Sequence, residues 1–139
     1  MTTGYLVEYG ATVVRIESHA HPDTLHNSPP FGHEGHGPNR SGYYANYNAS
    51  KYAFGLNMAH PKAINIVQRF VAWADLVTEN FTPGTMEKWG LGYDELCLLK
   101  PEIILFSTSM LGRGGPYSRQ PGFGPVLSSL SGMTGLTGW

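Results

Sequence analysis

The chain has 139 residues, nine Lys+Arg against ten Asp+Glu for a formal charge of -1, and 41% hydrophobic residues. That length suits one ordinary domain; the hydrophobic content excludes a disordered chain, and the balanced charge excludes a global basic field for nucleic acid or anionic membrane. One Cys excludes a disulfide framework, no apolar run approaches the ~20 residues of a bilayer span, and residues 1–5 do not read as a signal peptide, so the expected setting is cytoplasmic.

Gly (18) and Pro (10) are enriched over the usual ~12% and cluster at 22–42 and 112–138, so regular structure is expected mainly between those runs. The segment Gly4 to Tyr9 ends at Gly10, which suits the C-terminal cap of a helix. Thr12 to Ile16 is β-branched and short, a strand pattern. Residues 18–42 carry five His with many Pro and Gly and no periodicity, and read as a long functional or disordered loop. Tyr43 to Asn48 is aromatic and Asn-rich. Lys51 to Asn57 reads as a second strand, and Pro61 opens a helix with an apolar face at Ala63, Ile64, Val67, Phe70, Val71 and Ala74. Asp75 to Thr78 is a third strand, with Asn80 to Gly84 a loop at its end. Short helices follow over Met86 to Trp89 and Tyr93 to Leu99, the second broken by Pro101. Ile103 to Phe106 is a fourth strand, apolar on both faces, and Val126 to Met133 reads as one last helix. Alternating strands and helices predict an α/β fold: a Rossmann-like, mostly parallel sheet with flanking helices, incomplete because four strands are few.

Parallel sheets present ligands beyond the carboxyl ends of their strands, here after Glu17, Asn57, Glu79 and Ser107. The Asn80–Gly84 loop leads into a helix whose free N–H groups could meet phosphate, with Lys88 one turn on; the competing reading is a plain connection carrying a surface Lys. Gly112-Arg113-Gly114-Gly115-Pro116 lacks Gly-Lys-Ser/Thr, and no Gly-x-Gly-x-x-Gly follows a strand, so neither standard nucleotide fingerprint is present. His19, His21, His26, His33 and His36 could bind a transition metal, but sit among Pro and Gly without the fixed geometry that such sites need, and read first as surface His. Cys97, among leucines, reads as a small core hydrophobe. Glu17 and Glu79 stand at strand ends, either as nucleophiles or as hydrogen-bond acceptors. From the residues alone, the chain is an α/β protein with an anion-binding face and no catalytic constellation.

Three blocks together carry a resemblance: Ala74-Asp75-Leu76-Val77-Thr78-Glu79-Asn80-Phe81-Thr82-Pro83-Gly84, Gly90-Leu91-Gly92-Tyr93-Asp94-Glu95-Leu96, and Lys100-Pro101-Glu102-Ile103-Ile104. With Tyr9 to Glu17 before them, and Ser107-Thr108-Ser109, Gly114-Gly115-Pro116 and Thr137-Gly138-Trp139 after, the chain resembles the family III CoA-transferases (the carnitine, formyl-CoA and benzylsuccinate type) over nearly its whole length. The resemblance implies transfer of coenzyme A between carboxylic acids through an aspartyl-CoA thioester, with glycine-loop N–H groups stabilising oxyanions. It also implies CoA or acyl-CoA as substrate with no permanently bound cofactor, no resident metal, no nucleic-acid or membrane partner, and an interlocked homodimer for the full-length family.

Carried onto this chain, the implied CoA contacts are Lys51 before the second strand and Leu56, Asn57, Met58 and Ala59 after it. They continue with Asn80, Phe81 and Thr82 after the third strand, Lys88 in place of a usual Arg, and Gln120, Pro121, Gly122 and Phe123 near the thiol arm. For Lys51 a solvated strand-edge Lys is an equal reading. Ser18 and His19 replace a basic residue common after the matching glutamate. The family's nucleophilic aspartate lies beyond the Thr-Gly-Trp motif, and Asp23, Asp75 and Asp94 do not fit that role. The expectation is therefore residues 1–139 as a partial large, CoA-binding domain, with 18–42 a long loop inside it, lacking the first strand, the nucleophile and the small domain, and inactive alone. The alternatives are a non-catalytic CoA- or nucleotide-binding module and a His-loop metal-binding protein.

Overall fold

The computed structural model describes residues 2–32, 35, 37 and 39–138. It divides into two compact units, Met1–Ala63 and Ile64–Trp139. In the first unit α1 (Thr2–Glu8) ends at Gly10, which takes the left-handed φ of 93° that glycine adopts without steric cost. β1 (Val14–Glu17) pairs in parallel with β2 (Tyr52–Gly55), setting Glu17 beside Gly55.

The connection between them is more ordered than its composition suggests. Asp23 caps a 3-10 turn, Thr24–Asn27, by accepting from the Leu25 N–H at 2.8 Å. Phe31 and Ser41 form an antiparallel bridge. α2 (Gly42–Asn48) follows, an element that the Asn- and Tyr-rich sequence does not announce. Asn and Gly are poor helix formers; the Ser41 cap, which accepts from the Tyr44 N–H at 3.0 Å while donating to the Ser28 carbonyl at 2.5 Å, starts the helix despite them. Of the five loop His, His26 is buried and His19 and His21 are exposed; His33 and His36 lie outside the described residues.

In the second unit α3 (Ala63–Trp73) begins two residues after Pro61 and buries Val67 and Val71, one turn apart. β3 (Leu76–Glu79) pairs in parallel with β4 (Ile104–Ser107), Glu79 opposite Ser107. Between them lie α4 (Thr85–Lys88) and α5 (Tyr93–Leu99). Asp94 and Glu95 in the first turn of α5 complement the helix dipole, and Pro101 forbids its extension. Met86, Leu91, Leu96 and Ile103 are buried, Leu96 completely, so the apolar core belongs mainly to this unit.

The α/β class with parallel pairing and flanking helices stands, and the described strands form two two-stranded ladders, β1-β2 and β3-β4. The single last helix expected over 126–133 is instead two, α6 (Gly124–Leu130) and α7 (Met133–Thr137). Gly132 turns between them at φ 81°, a left-handed conformation that ends the first helix and starts the second. No helix among the described residues is long and apolar enough to cross a membrane.

Candidate functional site

Both ladders follow one plan: the leading strand ends on a glutamate held by an arginine, and a cleft opens at the carboxyl ends. In the first unit the Glu17 carboxylate accepts from Tyr44 Oη at 2.6 Å, pairs with Arg15 Nε at 2.7 Å and lies 3.1 Å from His26 Nε2. Arg15 also pairs with Asp23 and lies over the Tyr44 ring, 5.1 Å from its centroid, while His26 stacks on the same ring at 3.8 Å. Burial alone would push Glu17 up, but hydrogen bonds from Tyr44 and His26 and the Arg15 charge hold it below the usual carboxylate range. Burial, then the bond to Glu17, pushes the Tyr44 phenol up to about 12.

Beyond this polar knot lies a cleft of about 440 Å³ lined by 18–20, directly after β1, and by 55–57, the last residue of β2 and the two after it. Leu56 and Asn57, two of the implied CoA contacts, are in its wall, opposite Ser18 and His19. Asn57 Oδ1 accepts from the Ala59 N–H at 3.0 Å and the Asn57 carbonyl from the His60 N–H at 3.0 Å, a turn that fixes half-buried Met58 and exposed Ala59 just outside. Lys51 is not in this wall: its ammonium donates to the Tyr47 carbonyl at 2.6 Å and to Asn48 Oδ1 at 3.3 Å, closing the end of α2.

In the second unit the Glu79 side chain is 2% exposed and receives the Phe81 N–H at 2.7 Å and Arg113 Nη1 at 2.5 Å. Arg113 Nη2 donates to Glu87 of α4 at 2.6 Å, so one guanidinium fastens the glycine-rich run after β4 to both β3 and α4. The cleft above is about 150 Å³ and is lined by 80–83, 109–110 and 118–122. It brings together Asn80, Phe81 and Thr82 with Gln120, Pro121 and Gly122, segments widely separated in sequence. Phe81 meets Trp89 edge-to-face at 5.2 Å, which steadies the first of these walls. Lys88 is exposed on α4 and Phe123 caps α6, 79% exposed; neither lines the cleft. The helix expected to present N–H groups to phosphate after Gly84 is a single turn, α4, too short to gather much of a dipole.

Ser109 and Arg119 are among the lining residues that were not implied as contacts. Ser109 ends the Ser107-Thr108-Ser109 motif; its hydroxyl is buried without a hydrogen-bond partner among the described residues. Arg119 precedes Gln120 and joins none of the ion pairs of the described residues. The signal for Ser109 was its place in that motif, and for Arg119 adjacency to Gln120. No group of three or more His, Cys, Asp or Glu able to hold a metal occurs among the described residues.

Comparison with known proteins gives these clefts a context. The profile of CoA-transferase family III matches residues 1–139. The succinyl-CoA--D-citramalate CoA-transferase of Chloroflexus aurantiacus is 31% identical, over 96% of this chain and 32% of the relative. The succinyl-CoA:glutarate CoA-transferase of Homo sapiens is 35% identical, over 96% of this chain and 30% of the relative. Among solved structures, a CAIB/BAIF family protein from Brucella suis superposes with a TM-score of 0.85 at 32% identity, covering 97% of this chain and 35% of that one. The chain thus spans about a third of the length of each of these three proteins.

Proposed function

The chain belongs to CoA-transferase family III, and from that membership we propose that residues 1–139 supply part of a coenzyme A site serving the transfer of coenzyme A between carboxylic acids. One observation carries the reading. Residues 80–82 and 120–122, implied separately as CoA contacts, meet in a single cleft at the carboxyl ends of a parallel ladder, where such sheets receive ligands. Leu56 and Asn57 stand in the corresponding cleft of the first unit.

In the proposed reaction an aspartate carboxylate attacks the donor acyl-CoA carbonyl, giving a mixed anhydride and CoA thiolate. The thiolate then attacks the aspartyl carbonyl, releasing the donor acid and leaving an aspartyl-CoA thioester, and the acceptor carboxylate repeats the sequence in reverse. Neither strand-end glutamate suits the nucleophile's part: Glu17 and Glu79 are each held by an arginine and by further hydrogen bonds. Asp23 caps a turn, and Asp75, 96% exposed, pairs with Lys100. The role proposed for these residues is therefore to bind and orient. The relatives named for succinyl-CoA with citramalate or glutarate support a short dicarboxylic acid as acceptor.

Titration with CoA while following thermal unfolding tests the reading: saturable stabilisation is expected, and a midpoint unmoved at millimolar CoA contradicts it. The engagement of both glutamates also favours a second reading, a CoA-binding module without turnover. Measurable exchange between succinyl-CoA and glutarate would eliminate that module.

A further inference from the structure

We propose that Arg113 is a positioning residue for coenzyme A: its guanidinium, fixed between Glu79 and Glu87, sets where the 118–122 wall of the second unit's cleft stands against the 80–83 wall. The inference rests on the coenzyme A reading and names the group that shapes this cleft without lining it. Its first support is how little else ties that wall down. After β4 the chain runs exposed from Gly112 to Tyr117 before it reaches the cleft. Among the described residues the backbone hydrogen bonds of 109–122 are local, from the Ser118 N–H to the Gly115 carbonyl at 3.1 Å and from the Gln120 N–H to the Tyr117 carbonyl at 2.9 Å. Arg113 makes every hydrogen bond and ion pair that joins this run to another element among the described residues. Glycines at 112, 114 and 115 give the backbone around it wide freedom, so an untethered run would sample many positions.

The run also closes on itself. A Cβ on Gly122 would lie 2.6 Å from Met110 Sδ, so the bare glycine lets the end of the run lie against its beginning. What Arg113 fixes at one point is thereby carried to 118–122.

The second support is a shared anchor. Glu79 Oε2 accepts from the Phe81 N–H at 2.7 Å and Oε1 from Arg113 Nη1 at 2.5 Å, so each wall hangs on one oxygen of a single carboxylate that is 2% exposed. Nη2 donates to Glu87 at 2.6 Å, and a planar fork held at both nitrogens cannot swivel as it could on one bond. Glu87 is seated in turn over Gly92, where a Cβ would come 3.2 Å from its Cγ.

Charge gives the proposal a test of sign. CoA is an anion, and Glu87 stands on the helix that follows the 80–83 wall. By charge alone, removing that carboxylate strengthens CoA binding. As the second anchor of Arg113, its removal loosens the wall and weakens binding.

The 139-residue chain and its Glu87→Ala and Arg113→Lys variants are titrated with CoA, and backbone NMR order parameters of 118–122 are measured without ligand. In the parent these should lie near the rigid value of about 0.85 and in both variants fall toward about 0.6. Glu87→Ala should weaken CoA several-fold at a nearly unchanged melting temperature, because a pair with a half-exposed carboxylate adds little stability. Arg113→Lys keeps a counter-charge for Glu79 but not the fork; it should hold the midpoint within ~3 °C and weaken CoA about tenfold. A merely charge-balancing Arg113 predicts parent-like CoA binding in the lysine variant. Glu87→Ala binding CoA as tightly as the parent or more so, or order parameters at 118–122 unmoved by Arg113→Lys, overturns the proposal. A parent chain that takes up no CoA refutes the coenzyme A reading instead, and the tether then stands or falls on the order parameters.

Discussion

Arg113→Ala is the substitution with the largest calculable consequence near the site. It strips the Glu79 carboxylate, 2% exposed, of its counter-charge and leaves only the Phe81 N–H to satisfy it. Breaking a fully buried pair costs ~3–5 kcal/mol. Arg113 is itself 33% exposed, so water already screens it and enters readily when it is gone; a loss of ~2–3 kcal/mol is the better figure. The second bond, to half-exposed Glu87, adds little. For a chain of 139 residues, at ~3–4 °C per kcal/mol, the melting midpoint should fall by about 6–12 °C. Calorimetry measures it, and adding Glu79→Gln should restore at least ~1 kcal/mol, because the neutral amide no longer needs a cation. A midpoint within ~2 °C of the parent, or no recovery in the double variant, would refute the argument.

Three further outcomes follow from the packing and the polar knot. Leu96→Ala, at a fully buried position, should cost ~2–5 kcal/mol in urea unfolding, whereas Leu98→Ala, 86% exposed, should cost under ~0.5 kcal/mol. Tyr44 is pushed up from 10.0 to about 12, so its stabilisation is complete below the unfolded value of 10.0 and lost as pH rises through about 12. Tyr44→Phe should flatten that alkaline loss in urea midpoints, and an unchanged profile contradicts the assignment. Gly132→Ala forces a Cβ into a left-handed residue at φ 81° and should destabilise by ~1–2 kcal/mol; a stabilised variant would mean that α6 and α7 prefer to be one helix.

The sequence announces the strands because β-branched runs leave little choice: Val13-Val14-Arg15-Ile16 and Leu76-Val77-Thr78 appear as β1 and β3 within a residue or two. It conceals α2, whose Asn- and Tyr-rich composition opposes a helix; Ser41 and the Tyr44–Glu17 bond, 27 residues apart, decide there. Gly132 was visible, but whether it ends one helix or sits inside it depends on a φ that composition does not set. Residues 80–82 and 120–122 were each legible through the family resemblance, and their meeting in one cleft was not, since it depends on the β3-β4 register and the Arg113 clasp. Glu17 and Glu79 were legible as residues at strand ends and not as clamped ones. Arg15 and Arg113 decide that, and the second stands far down the chain.

The central claim is that these strand-end turns receive coenzyme A, and backbone amide NMR of the 139-residue chain during a CoA titration tests it most directly. Saturable shift changes concentrated at 80–82 and 120–122, with the turn 56–59, are the expected result. Changes confined to other amides, or none at millimolar CoA, would contradict it.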